Sequence, residues 1–146
     1  MASMLDFCQD LPVRTYQPGE TILWENRKEP AIYILKRGAV EVQRHNTEVN
    51  RAASPGSVFG EISVLLNIAH TATVVALEPC EFYVAENGEE FLNQNPQTHG
   101  IISKLLAHRL YRVTQQLVEL KERTEATDDE DGYHVDGVLR TLVEQM

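Results

Sequence analysis

The chain has 146 residues, a net charge of -9 and 42% hydrophobic residues, which suits a single packed domain with its own core. The negative charge works against a nucleic-acid partner, no apolar run reaches the ~18 residues that span a bilayer, and no Lys/Arg-flanked apolar stretch marks a secretion signal. Cys8 and Cys80 make no disulfide framework and fit a reducing cytoplasm, while His45, His70, His99, His108 and His134 are scattered without metal-ligand spacing, so neither a metal nor a cofactor is expected.

In chain order, residues 1–12 form a leading segment with Met4, Leu5, Phe7 and Leu11 at helical spacing, closed by Pro12. From Val13 to Val84 the pattern is of strands and turns. Pro18-Gly19 turns into Thr21-Ile22-Leu23-Trp24. Ala31 to Leu35 is continuously apolar and reads as a strand buried on both faces. Arg37-Gly38 reads as a hairpin corner, and Val40 and Val42 then alternate with Glu41 and Gln43. His45-Asn46-Thr47 reads as a polar tip. Thr71–Leu77 and Glu81–Val84 are two further β-like pieces, parted at Glu78-Pro79. Short strands punctuated by Gly and Pro favour a β-sandwich or β-roll.

After Glu86 the period changes. Glu89 to Leu92 suggests a short helix that stops near Asn95-Pro96. Ile101, Ile102, Leu105, Leu106, Leu110, Val113, Leu117 and Leu120 then recur at three- and four-residue spacings, an amphipathic helix over residues 98–123. Residues 125–146 are expected to hold an acidic linker, Thr127 to Gly132, and a short terminal helix from Val135 to Met146. The first domain is thus placed at residues 1–124. Leu106, Leu110, Val113, Leu117 and Leu120 have coiled-coil spacing, which fits a homodimer seam or a helix packed on its own roll.

The stretch from Pro55 to Val74 carries the chemistry. Holding a sugar phosphate ester, a cyclic nucleotide or a similar one, takes main-chain N–H groups aimed at the phosphate, an acceptor for a sugar hydroxyl and an apolar wall for the base. Gly60 lets backbone approach closely, and a helical turn after it offers free N–H groups. Glu61 can accept a ribose 2′-OH, as acidic residues do in dinucleotide sites. Thr71 and Thr73 add hydroxyls. Read alone, Phe59-Gly60-Glu61 is equally a plain turn entering a short helix with an exposed acid. No Gly-x-Ser-x-Gly, P-loop or Cys-x-x-Cys pattern occurs, so no enzyme is expected.

The stretch Phe59-Gly60-Glu61-Ile62-Ser63-Val64-Leu65-Leu66-Asn67-Ile68-Ala69-His70-Thr71-Ala72-Thr73-Val74 resembles the phosphate-binding cassette of cyclic nucleotide-binding domains. Pro18-Gly19-Glu20, the segment Tyr33 to Val42, Pro55-Gly56, Phe91…Asn95-Pro96 and Arg109-Leu110 occur in the family's order. The resemblance covers residues 10–123. It implies an α+β, mainly β fold: a jelly-roll β-roll (double-stranded β-helix) flanked by an N-terminal helix and a long C-terminal helix. It implies a sensor of cAMP or cGMP that signals through its C-terminal helix to a protein effector. The implied ligand-binding residues are Phe59, Gly60, Glu61, Ile62, Ser63, His70, Thr71, Ala72 and Thr73, with Thr114 on the long helix. Thr71 stands where cGMP-dependent kinases have threonine, and Thr114 where bacterial cyclic-AMP receptor proteins place a purine contact. The acidic stretch after Arg123 is too short for the winged helix-turn-helix of the family's transcription factors, and no channel or kinase signature occurs.

His70 departs from the pattern. The family has an arginine there, a permanently charged fork that grips the cyclic phosphate. Histidine offers at most one N–H toward the ligand. Two readings follow: a cyclic-nucleotide sensor of weakened or altered affinity, or a degenerate module that keeps the fold for protein–protein interaction.

Overall fold

The computed structural model describes residues 2–127, so the acidic run from Asp128 and the helix expected from Val135 lie outside the described residues. The chain divides into two compact units, residues 1–102 and 103–146.

The first unit opens on a 3-10 turn, Met4–Phe7, and not on the longer helix that Pro12 was expected to end. Ser3 caps it: its hydroxyl accepts from Leu5 N–H at 3.2 Å and its own N–H donates to Asp6 at 2.8 Å. Met4 and Cys8 are buried by this turn.

Eight strands follow among the described residues: β1 (Val13–Tyr16), β2 (Thr21–Leu23), β3 (Ile32–Arg37), β4 (Val40–Arg44), β5 (Thr47–Ala52), β6 (Val58–Phe59), β7 (Thr73–Ala76) and β8 (Cys80–Ala85). They form two antiparallel sheets in the orders β1-β8-β3-β6 and β2-β7-β4-β5. This is the expected β-roll, without a closed barrel. The core lies between the sheets. Phe82 stands at its centre, with the rings of Tyr16, Tyr33 and Phe59 set edge-on at 5.7, 6.3 and 6.0 Å. Ala31–Leu35 is buried at every position, as its unbroken apolar run requires.

Two local expectations change, while the polar tip expected at His45-Asn46 holds. Arg37-Gly38 is not a hairpin corner: β3 and β4 belong to different sheets, and Gly38 carries the chain between them with φ +113°. A side chain there would collide with Cys80, whose Sγ would lie 2.6 Å from the new Cβ. The hairpin is the next one, β4–β5, closed by His45-Asn46 with φ of 53° and 62°, the two left-handed residues of a tight turn. β7 begins at Thr73, which leaves Thr71 and Ala72 in the preceding bend.

Three helices complete the described chain: α1 (Glu61–Leu66), α2 (Gly88–Gln94) and α3 (Gln97–Thr127). Asn87 caps α2, its side chain accepting from Glu90 N–H at 3.1 Å, and Asn95 closes it. α3 buries Thr98 and Ile102 in its first turns and runs past the end expected at Arg123 to Thr127, where the acidic run was expected to begin. None of the described helices is long and apolar enough to cross a membrane.

Candidate functional site

The cassette is built on β3. Leu35 N–H donates to Ser57 O and Gly56 N–H to Leu35 O, both at 2.8 Å, and β6 continues this pairing to Phe59, which enters the core. Gly60 then turns the chain with φ +87°. A Cβ there would stand 2.9 Å from Ala31 O, so the turn requires glycine on conformational and steric grounds together. The close approach is therefore to the main chain of the segment before β3.

Glu61 begins α1 and is 3% exposed, so it is not the surface acid of a plain turn. The first bond of the helix runs from Val64 N–H to Gly60 O at 3.3 Å, leaving the N–H groups of residues 61–63 ahead of it without intrahelical acceptors. Ser63 closes the loop. Its carbonyl accepts from the N–H of Asn67, which is left-handed at φ 56°, and from Ile68 N–H at 3.2 Å, while its hydroxyl donates to Ile68 O. Ile62 is half-buried, and Leu65, Leu66 and Ile68 are exposed.

The return strand is tied to the loop before β3. His70 N–H donates to Arg27 O at 2.8 Å and Asn26 N–H to His70 O at 2.9 Å. Glu25 N–H donates to the Thr73 hydroxyl at 2.9 Å. Thr71 and Ala72 are half-buried. The hydroxyls of Ser63 and Thr73 are thus spent on the main chain, whereas that of Thr71 is engaged by no described residue.

The His70 ring is buried against Gly60: the Cβ position of residue 60 lies 3.6 Å from His70 Cε1. Its Nε2 is buried without a hydrogen-bond partner, 3.9 Å from Glu29 Oε2. That oxygen accepts from the Tyr33 hydroxyl at 3.1 Å. Phe59 through Ser63 and His70 through Thr73 therefore meet in one loop–helix–loop unit. Thr114 is half-buried in the second unit. Glu29 was missed because the sequence around it is an ordinary polar loop, and Tyr33 because it sits in an apolar run and reads as core.

The thiols lie apart from this site. Burial pushes the Cys8 thiol up to about 11, and its Sγ donates to Met4 O at 3.1 Å. Cys80 is also buried, and both cysteines are free. Among the described residues no group of His, Cys, Asp or Glu could hold a metal ion.

A two-sheet roll interrupted by a glycine turn, a one-and-a-half-turn helix and a polar return loop defines a ligand-sensing domain class. Residues 13–94 match the family described as Cyclic nucleotide-binding domain, and the chain belongs to that family. It is 38% identical over 72 residues to a cAMP-dependent protein kinase regulatory subunit of Yarrowia lipolytica, covering 49% of this chain and 19% of that protein. It is 41% identical over 69 residues to a cGMP-dependent protein kinase of Eimeria tenella, covering 47% and 7%. The Thermus thermophilus catabolite activator protein superposes with a TM-score of 0.68 at 25% identity, over 80% of this chain and 58% of that one. The chain therefore spans a small part of the length of the two kinase relatives.

Proposed function

We propose that this chain is a regulatory domain that binds a 3′,5′-cyclic nucleotide, cAMP or cGMP, and acts by binding and not by catalysis. Family membership supports the ligand class. The observation that carries the reading to this chain is the cassette itself: Gly60 left-handed, Glu61 buried at the start of α1, and the N–H groups of Ile62 and Ser63 in the first turn, which have no intrahelical acceptor. Glu61 takes the ribose hydroxyl. The main chain from Gly60 to Ser63, with Thr71 and the backbone of Ala72 and Thr73, takes the phosphate. Phe59, packed in the core, and the half-buried Ile62 support the loop.

Affinity is weakened relative to an arginine-bearing cassette. His70 supplies no guanidinium, and its Nε2 faces Glu29. Loss of one charge-assisted partner costs about 2–5 kcal/mol, roughly 30- to several-thousand-fold. The measurement that tests the reading is the melting temperature of the chain in millimolar cAMP and cGMP. A ligand selective for the native state must raise it, and no rise with either nucleotide rejects binding.

A second reading, a module used for protein–protein contact, draws on the apolar side chains left outside. Leu65, Leu66 and Ile68 are exposed on the cassette, as are Leu110, Val113 and Leu120 along α3. The α3 stripe supports a homodimer or an effector contact through which the helix signals, and sedimentation of the purified chain distinguishes monomer from dimer. Two free, buried thiols suit the reducing cytoplasm.

A further inference from the structure

Glu29 Oε2 has two polar neighbours and satisfies one of them. The Tyr33 hydroxyl donates to it at 3.1 Å; His70 Nε2 faces it at 3.9 Å with no partner of its own. Tyr33 is 3% exposed and held by the core, and Arg14 Nη1 reaches its hydroxyl at 3.5 Å from β1. Burial, with the Glu29 carboxylate adding to it, pushes the Tyr33 phenol up to about 12, so it keeps its proton and remains a donor through the neutral range. The core thus fixes the phenol, and the phenol fixes the carboxylate. Of the two ring nitrogens, Nε2 is the one with a carboxylate beside it, so a proton on Nε2 gains an acceptor once the 3.9 Å gap closes by a few tenths of an ångström or more, and that favours the Nε2–H tautomer of the ring.

We propose that Glu29, held by Tyr33, is a positioning residue for His70: it keeps Nε2–H turned into the fold and leaves Nδ1 as the ring's one group for a ligand in the cassette. A neutral ring held this way presents an acceptor. It then meets donors of the ligand and not its phosphate oxygens, and the phosphate is left to the main chain and Thr71. Only this last consequence rests on the cyclic-nucleotide reading; the ring orientation does not.

The test records long-range ¹H–¹⁵N spectra of the His70 ring at pH 8 without ligand, in the wild-type chain, Tyr33→Phe and Glu29→Gln, and then titrates each with cAMP and cGMP. The wild-type ring is expected as the single Nε2–H tautomer. Tyr33→Phe keeps the ring in the core but frees Glu29, so the tautomers should mix and nucleotide affinity should change about threefold or more. Glu29→Gln, at a partly exposed side chain, gives the same readout should Tyr33→Phe fail to fold. His70 nitrogen shifts identical in wild type and variants overturn the proposal. A wild-type chain that binds neither nucleotide rejects the functional reading instead, and the ligand-free ring shifts still decide the positioning.

Discussion

The His70 imidazole points its Nε2 at the Glu29 carboxylate, 3.9 Å away, from a position where the family carries arginine. An arginine at residue 70 would have the same carboxylate as neighbour, and its forked, permanently charged head has donors to spare for a phosphate. His70→Arg is therefore expected to tighten cyclic-nucleotide binding by about tenfold or more, ~1.4 kcal/mol per decade. Isothermal titration with cAMP and cGMP measures this. Unchanged affinity would mean that residue 70 does not face the ligand.

Gly60 is the position where the cassette is least tolerant. Any side chain meets Ala31 O at 2.9 Å from a backbone with φ +87°. Gly60→Ala is expected to lose about 1–3 kcal/mol of stability through strain at that turn. Urea unfolding gives the number, and a loss below about 0.5 kcal/mol, the ordinary range for surface changes, would show that the turn relaxes at no cost.

The Cys8 thiol, fully buried, is pushed from 9.0 up to about 11. Below pH 9 both folded and unfolded chains hold the proton, and the shift has no effect on stability. Between pH 9 and about 11 the unfolded chain releases it first, which favours unfolding by about 1.4 kcal/mol per pH unit. Burial raises the Cys80 thiol in the same direction, and the Tyr33 phenol, raised from 10.0 to about 12, extends the loss further. Stability measured by denaturant titration should fall steeply from pH 9 upward, and Cys8→Ala should have a shallower slope from a lower starting value. Equal slopes in the two proteins would remove Cys8 as a cause.

Much of the roll was legible in the sequence because single residues dictate it. Ala31–Leu35 is apolar at every position and is buried at every position. Phe59-Gly60-Glu61 announces a turn that only glycine can make. β5 was not legible. All its residues but the last are exposed, so it has no buried face to impose alternation, and its register comes from the His45-Asn46 turn and from pairing with β4. The Glu29–His70 approach was not legible either, because it joins a polar loop to a cassette residue through tertiary folding alone. Trp24 reads from the sequence as either core or a surface brace; it is 46% exposed with the Arg27 guanidinium 4.9 Å from its ring centroid, which makes it the brace.

Thr71 is the remaining hydroxyl of the cassette. Ser63 donates to Ile68 O and Thr73 accepts from Glu25 N–H, so replacing either would loosen the loop itself. Thr71 is half-buried, and its hydroxyl is engaged by no described residue, so its removal should leave the fold intact. Thr71→Val keeps the branched shape and deletes the one group. Its melting temperature should match that of the wild-type chain, while nucleotide affinity should fall by about 0.5–1.5 kcal/mol, the net value of one neutral hydrogen bond. Should the same hydroxyl also reach the guanine amino group, the loss would be greater for cGMP than for cAMP. Parallel titrations with the two nucleotides decide this: equal losses would confine Thr71 to the phosphate, and no loss for either would take it out of the site.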